Sequence, residues 1–84
     1  MPMAGFIDYV VGRALVIAKS PGIDFDIAAR EIEVIANFDR DMLRRAESKV
    51  RQKLQDAPAT QIIRRAHKIL MMSLDLQSTG SQRD

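Results

Sequence analysis

Eight basic side chains fall between residues 44 and 68, namely Arg44, Arg45, Lys49, Arg51, Lys53, Arg64, Arg65 and Lys68, against only Glu47 and Asp56. Ammonium and guanidinium groups at that density do the chemistry of anion recognition, because each neutralised phosphate or carboxylate adds attraction and releases counterions. The stretch DRDMLRRAESKVRQKL, residues 39–54, alone carries six bases in sixteen positions. Bond-making chemistry has far less to work with. His67 is the single histidine, the chain has no cysteine, and no glycine-rich phosphate loop is present. A general base needs a nucleophile and an orienting acid within reach, and the sequence supplies no such constellation. The expectation is therefore no catalytic residue, no metal ligand set and no cofactor. Asp24-Phe25-Asp26 opens like a calcium loop but lacks the glycine and the distal glutamate that such a loop needs, so it reads as a helix cap.

The elements that must position these side chains are helical. From Ala28 through Ile32, Ile35, Phe38, Met42, Ala46 and Val50 to Leu54 the apolar residues step by three or four, which puts them on one stripe of a helix. Asp24 or Asp26 caps its start, and Pro58 forces Ala57 out of the helical region at its end, so the spacing predicts one long helix over about residues 24–56. Thr60 as a cap and the run Ile62, Ile63, Ala66, Ile69, Leu70, Leu74 predict another over about 60–77. The first segment, closed by Ser20-Pro21-Gly22, reads as a helix over about 4–20. It is rich in β-branched residues, so the alternative is an N-terminal β-hairpin turning at Val11-Gly12-Arg13-Ala14, followed by two helices. The expected fold is thus all-α, with three helices in one domain, residues 1–77, and a flexible tail, residues 78–84.

Geometry then bears on partners. A helix over 24–56 would be about 50 Å long, and two shorter helices folded back on its two halves would leave each half only two helices thick. Two helices enclose no core, whereas the first helix is apolar nearly all round, so the missing layer is expected from a second copy of the chain. Phe6, Tyr9, Arg13, Val16, Ile69, Met72 and Leu76 are the candidate self-association residues. Arg13, set within apolar surface, is expected to pair with Glu31 or Glu33 across the first helical contact. Residues 24–41 hold six acids against Arg30 and Arg40, so the long helix is acidic at its start and basic at its end. That polarity suits the helix dipole and also an antiparallel dimer.

Within the basic stretch, Asp41 to Arg45 and Glu47 to Arg51 stand four apart with the acid first, the favoured order for helical ion pairs, so part of the charge is answered locally. Solvent, an acidic protein partner or nucleic acid would each suit what remains. If the long helix breaks at Asn37-Phe38, with Asn37 as a left-handed cap and Asp39 starting a new helix, residues 26–54 resemble a helix-turn-helix pair, lacking the usual turn glycine. The resemblance implies a DNA- or RNA-binding regulator with a recognition helix at about 39–54 presenting Arg40, Arg44, Arg45 and Ser48. The principal reading is a small non-enzymatic helical protein, expected to be a homodimer by the layer argument, that binds another macromolecule as an adaptor or regulator. The apolar run from Phe6 to Ala18 is too short to span a bilayer and contains Asp8 and Arg13, so no membrane contact and a cytoplasmic location are expected.

Overall fold

The computed structural model describes residues 3–82, with side chains from residue 4 to residue 76. Four helices follow one another: α1 Met3–Ala18, α2 Phe25–Ile35, α3 Arg40–Asp56 and α4 Thr60–Gln82. The all-α expectation holds, but three helices must be corrected to four, because the segment expected to run unbroken over 24–56 divides at residues 36–39. No strand occurs among the described residues, which disposes of the N-terminal hairpin. The last helix continues to Gln82, beyond its expected end at 77, and residues 83–84 of the expected tail lie outside the described residues.

The break has a local cause. Asn37 and Phe38 both take left-handed backbone angles, φ 58° and 57°. The Asn37 N–H donates to the Val34 carbonyl and the Phe38 N–H to the Glu33 carbonyl, both at 2.9 Å, the two crossed bonds of a Schellman cap with asparagine at its left-handed position. One residue on, the Asp39 side chain accepts from the Met42 N–H at 3.1 Å and caps α3. Asn37 and Asp39 thus satisfy the carbonyl and amide groups that dividing a helix exposes. Phe38, placed by its spacing on the apolar stripe, instead stands 63% exposed in the turn.

At the other boundaries the signals are short. Asp24 caps α2 by accepting from the Asp26 and Ile27 amides, and Ala57, extended before Pro58, ends α3. Gly22 at φ +63° turns the chain from α1 into α2, a conformation that costs a glycine little. In α1, Ile7, Val10, Val11, Ala14 and Ala18 are buried, the spacing of a helical face. Gly12 lies inside this helix, and a methyl group there would meet no atom within 4 Å. Gly12→Ala is therefore expected to raise stability by about 0.5–1 kcal/mol, read as an increased urea midpoint at unchanged slope.

Dividing the long helix changes the packing. Helix α4 lies against all three others, α1 also touches α2 and α3, and α2 and α3 barely meet. The pair α1 and α4 therefore forms a spine flanked by α2 on one side and α3 on the other. Val10, Ile32, Leu43, Val50, Ile69 and Leu70 have no exposed surface in the single chain. A core closed in this way removes the need for a second chain to supply a layer. Small residues let α2 and α4 come close: Ala28 and Ala29 are buried, and the buried Ser73 hydroxyl lies 2.8 Å from the Ala29 carbonyl and 3.0 Å from that of Ile69. The shortest dimension of the molecule is 19 Å, about two helix diameters, so every helix keeps an outer side.

Candidate functional site

Helices α3 and α4 run antiparallel around Pro58, as the Glu47–His67 contact and the bond from Arg40 to the Leu74 carbonyl at 2.9 Å establish. That hairpin carries all eight residues of the basic patch, but the fold uses most of them itself. Arg45 pairs with Asp41 at 2.9 Å and Arg51 with Glu47 at 3.2 Å, the two helical pairs expected from spacing. Lys49 reaches Asp8 of α1 at 2.7 Å, Arg65 donates to the Ser20 carbonyl at 3.1 Å, and the Lys68 ammonium sits 4.6 Å from the centre of the Phe25 ring. Arg44, Lys53 and Arg64 have no acid within ion-pair distance among the described residues. The patch is accordingly tied partly within α3 and partly to α1, its following turn and α2, with three cations left over on its surface.

One contact had no signal in the helical spacing alone. His67 lies between α3 and α4 with its Nε2 2.7 Å from Oε2 of Glu47, and their side chains are only 22% and 10% exposed. The Arg51 guanidinium grips the same carboxylate through Nε and Nη2, and Nη2 also donates to the Ser48 hydroxyl at 3.1 Å. Glu47 therefore serves as common acceptor for an imidazole and a forked guanidinium, which joins the two helices. Glu47→Ala is expected to cost about 2 kcal/mol, since the hydrogen bonds involve a charged, largely buried group. Asp41→Ala, which removes an exposed pair, should cost less than about 1 kcal/mol in the same urea titration. Equal costs for the two variants would show that the Glu47 cluster holds nothing together.

The face opposite the core on α1 and α2 has a different character. Tyr9 and Val16 on α1 are 54% and 53% exposed, and Ile27 and Val34 on α2 are 63% and 58% exposed. Each pair is seven residues apart, so each forms a stripe on its own helix. Arg13 lies between the first two and Glu31 between the second two, and these charges meet at 3.7 Å, Glu31 being one of the two partners expected for Arg13. The short turn through Gly22 makes α1 and α2 antiparallel neighbours, so four apolar side chains surround one ion pair. Phe6, half-buried, stacks against Tyr9 with centroids 6.4 Å apart and planes 11° apart. Phe6, Tyr9, Arg13 and Val16 are thereby brought together from the expected self-association set. Ile69 is not, being wholly buried in the core, while Met72 and Leu76 of α4 are half-buried. Ile27 and Val34, on the side of α2 away from the buried Ala28 and Ile32, were not singled out from spacing.

Two shallow open clefts flank α3, one lined by Ser48, Arg51, Gln52 and Gln55, the other by Asp8, Lys49, Gln52, Lys53 and Asp56. Neither brings a nucleophile against a base. Among the described residues no group of three or more His, Asp or Glu is placed to hold a metal ion, and no helix is long and apolar enough to cross a membrane. Comparison of the chain with protein-family models, with curated proteins and with solved structures found no match.

Proposed function

We propose that this chain is a non-enzymatic helical module that self-associates through the outer face of α1 and α2 and acts as an adaptor or regulator by presenting its remaining surface to another macromolecule. The observation that carries this reading is the group Tyr9, Val16, Ile27 and Val34, four large apolar side chains each more than half exposed on two neighbouring helices. Such clustering marks interaction surfaces in soluble proteins, whereas single exposed apolar residues do not. The reading rests on this leftover surface alone, because the core itself is closed within one chain. Its occupied state would bury Tyr9, a residue type enriched at interface centres, together with three branched aliphatic side chains.

Val16→Asp tests it. Val16 is exposed in the single chain, so the substitution should leave the monomer folded with a melting temperature within a few degrees of the parent, as for other surface changes within about 0.5 kcal/mol. In the assembly it would put a carboxylate against apolar surface, and the solution mass at micromolar concentration is expected to fall from dimer to monomer. Unchanged dimer mass in the variant would remove Val16 from the interface.

The nucleic-acid reading keeps one observation in its favour, the division at Asn37-Phe38 that it requires, with Arg44, Ser48, Gln52 and Gln55 on the exposed side of α3. Against it, α2 and α3 barely meet, whereas the helices of a helix-turn-helix pack on each other. Replacing Arg44, Lys53 and Arg64 by Ala should weaken heparin binding and flatten its salt dependence; failure of the parent protein to bind heparin or mixed DNA at about 50 mM salt would end this reading.

A further inference from the structure

We propose that the partner on the α1–α2 face is a second copy of the chain, placed by a two-fold axis through the Arg13–Glu31 pair so that each Arg13 contacts Glu31 of the partner subunit. This rests on the self-association proposed above and names its geometry and specificity.

The pair itself indicates the occupant. At 3.7 Å the two groups are farther apart than the roughly 2.7–2.9 Å of a close charge-assisted hydrogen bond, and both side chains are partly exposed, 39% and 49%. Arginine offers five N–H donors and a carboxylate two oxygens, so a single loose contact leaves most of this capacity to water. Any protein that covers the four surrounding apolar side chains strips that water away. A desolvated ion pair is tolerated only where further partners satisfy both its members. An occupant that carries an acid and a base a few ångströms apart, at the centre of an apolar ring, satisfies both members at once. An identical face does so by symmetry: in a two-fold contact, if Arg13 meets Glu31 of the partner subunit, then Glu31 meets Arg13 of the partner subunit. Four charges of alternating sign then close a square, and Tyr9, Val16, Ile27 and Val34 of both copies exclude water around it. The face carries no net charge from this pair, so two copies approach without repulsion.

The test is self-sorting. The double variant Arg13→Glu/Glu31→Arg keeps opposite charges at the two positions within its own chain, so its fold and its homodimer are preserved. Paired with the parent chain, it would set arginine against arginine and glutamate against glutamate across the axis, a like-charge arrangement that disfavours the wrong partner. Parent and variant chains, made distinguishable by isotopic mass, are mixed, allowed to exchange and examined by native mass spectrometry. The expected result is two homodimers, with the mixed dimer depleted about tenfold or more below the random proportion, a discrimination of about 1.4 kcal/mol. Dimers that mix at random would overturn the exchanged pair while leaving self-association standing. A parent chain that is monomeric throughout the micromolar range would overturn self-association and this inference with it. The single variants Arg13→Glu and Glu31→Arg give an independent arm: each should dimerise poorly alone, and the two should form a mixed dimer when combined.

Discussion

Leu70→Ala is expected to destabilise the protein by about 2–5 kcal/mol, the range found when a fully buried leucine is truncated and the cavity only partly collapses. Leu70 has no exposed surface and belongs to α4, which packs on all three other helices. A chain of this size has a total stability of roughly 4–12 kcal/mol by the usual per-residue value, so one substitution removes a large share of it. Thermal unfolding should report a fall in Tm of more than about 10 °C, given a shift of about 4–8 °C per kcal/mol in small domains. A loss under about 1 kcal/mol would mean that α4 is not where the core converges. Leu54→Ala, at a half-buried position in the last turns of α3, makes a useful contrast and should cost less.

The second large effect concerns the turn between α2 and α3, where two substitutions at one position should act in opposite directions. Phe38→Pro cannot adopt φ 57°, removes the N–H that donates to Glu33, and presses Asn37 toward extended backbone, so a loss of about 3 kcal/mol or more is expected. Phe38→Gly relieves the left-handed strain of a side chain bearing Cβ, about 1–2 kcal/mol, and gives some of this back through greater freedom of the unfolded chain. Its ring is mostly in water, so little burial is lost. The net expectation is a gain of up to about 1 kcal/mol, checked by paired urea titrations. A continuous helix across residues 36–39 would respond the other way, with glycine destabilising it as well. Destabilisation by Phe38→Gly would therefore contradict the division of the helix.

Features that lie within one helix were legible from spacing. The pairs Asp41–Arg45 and Glu47–Arg51, the cap at Asp24 (one of two acids expected there) and the stop before Pro58 depend only on residues within four positions, and each is found. The Arg13–Glu31 contact was legible too, because a short turn dictates antiparallel neighbours. The division at 36–39 was not, for a physical reason. Ile32, Ile35, Phe38 and Met42 continue the helical step across it, while the competing signal consists of Asn37 and Asp39 alone, and the choice falls to tertiary packing. A continuous helix would have left two thin halves, whereas the division swings Met42, Leu43, Ala46 and Val50 onto α1 and α4. Contacts between helices distant in sequence, such as Glu47 with His67, Lys49 with Asp8 and Arg65 with Ser20, depend on how the helices cross, which hydrophobic periodicity does not encode. For the proposed surface, Tyr9 and Val16 could be read from the wheel of α1, whereas Ile27 and Val34 show their exposure only in the folded chain.

The position of α4 as common partner of the other three helices also orders events in time. In chain order it follows the elements that it holds together, and α2 and α3 have almost nothing to say to each other without it. A nascent chain extending only to Pro58 thus leaves uncovered the apolar surface that α1, α2 and α3 turn toward α4. Folding must wait for the synthesis of residues 60–76, and during that interval the unfinished chain is a client for whatever shields apolar surface on the ribosome.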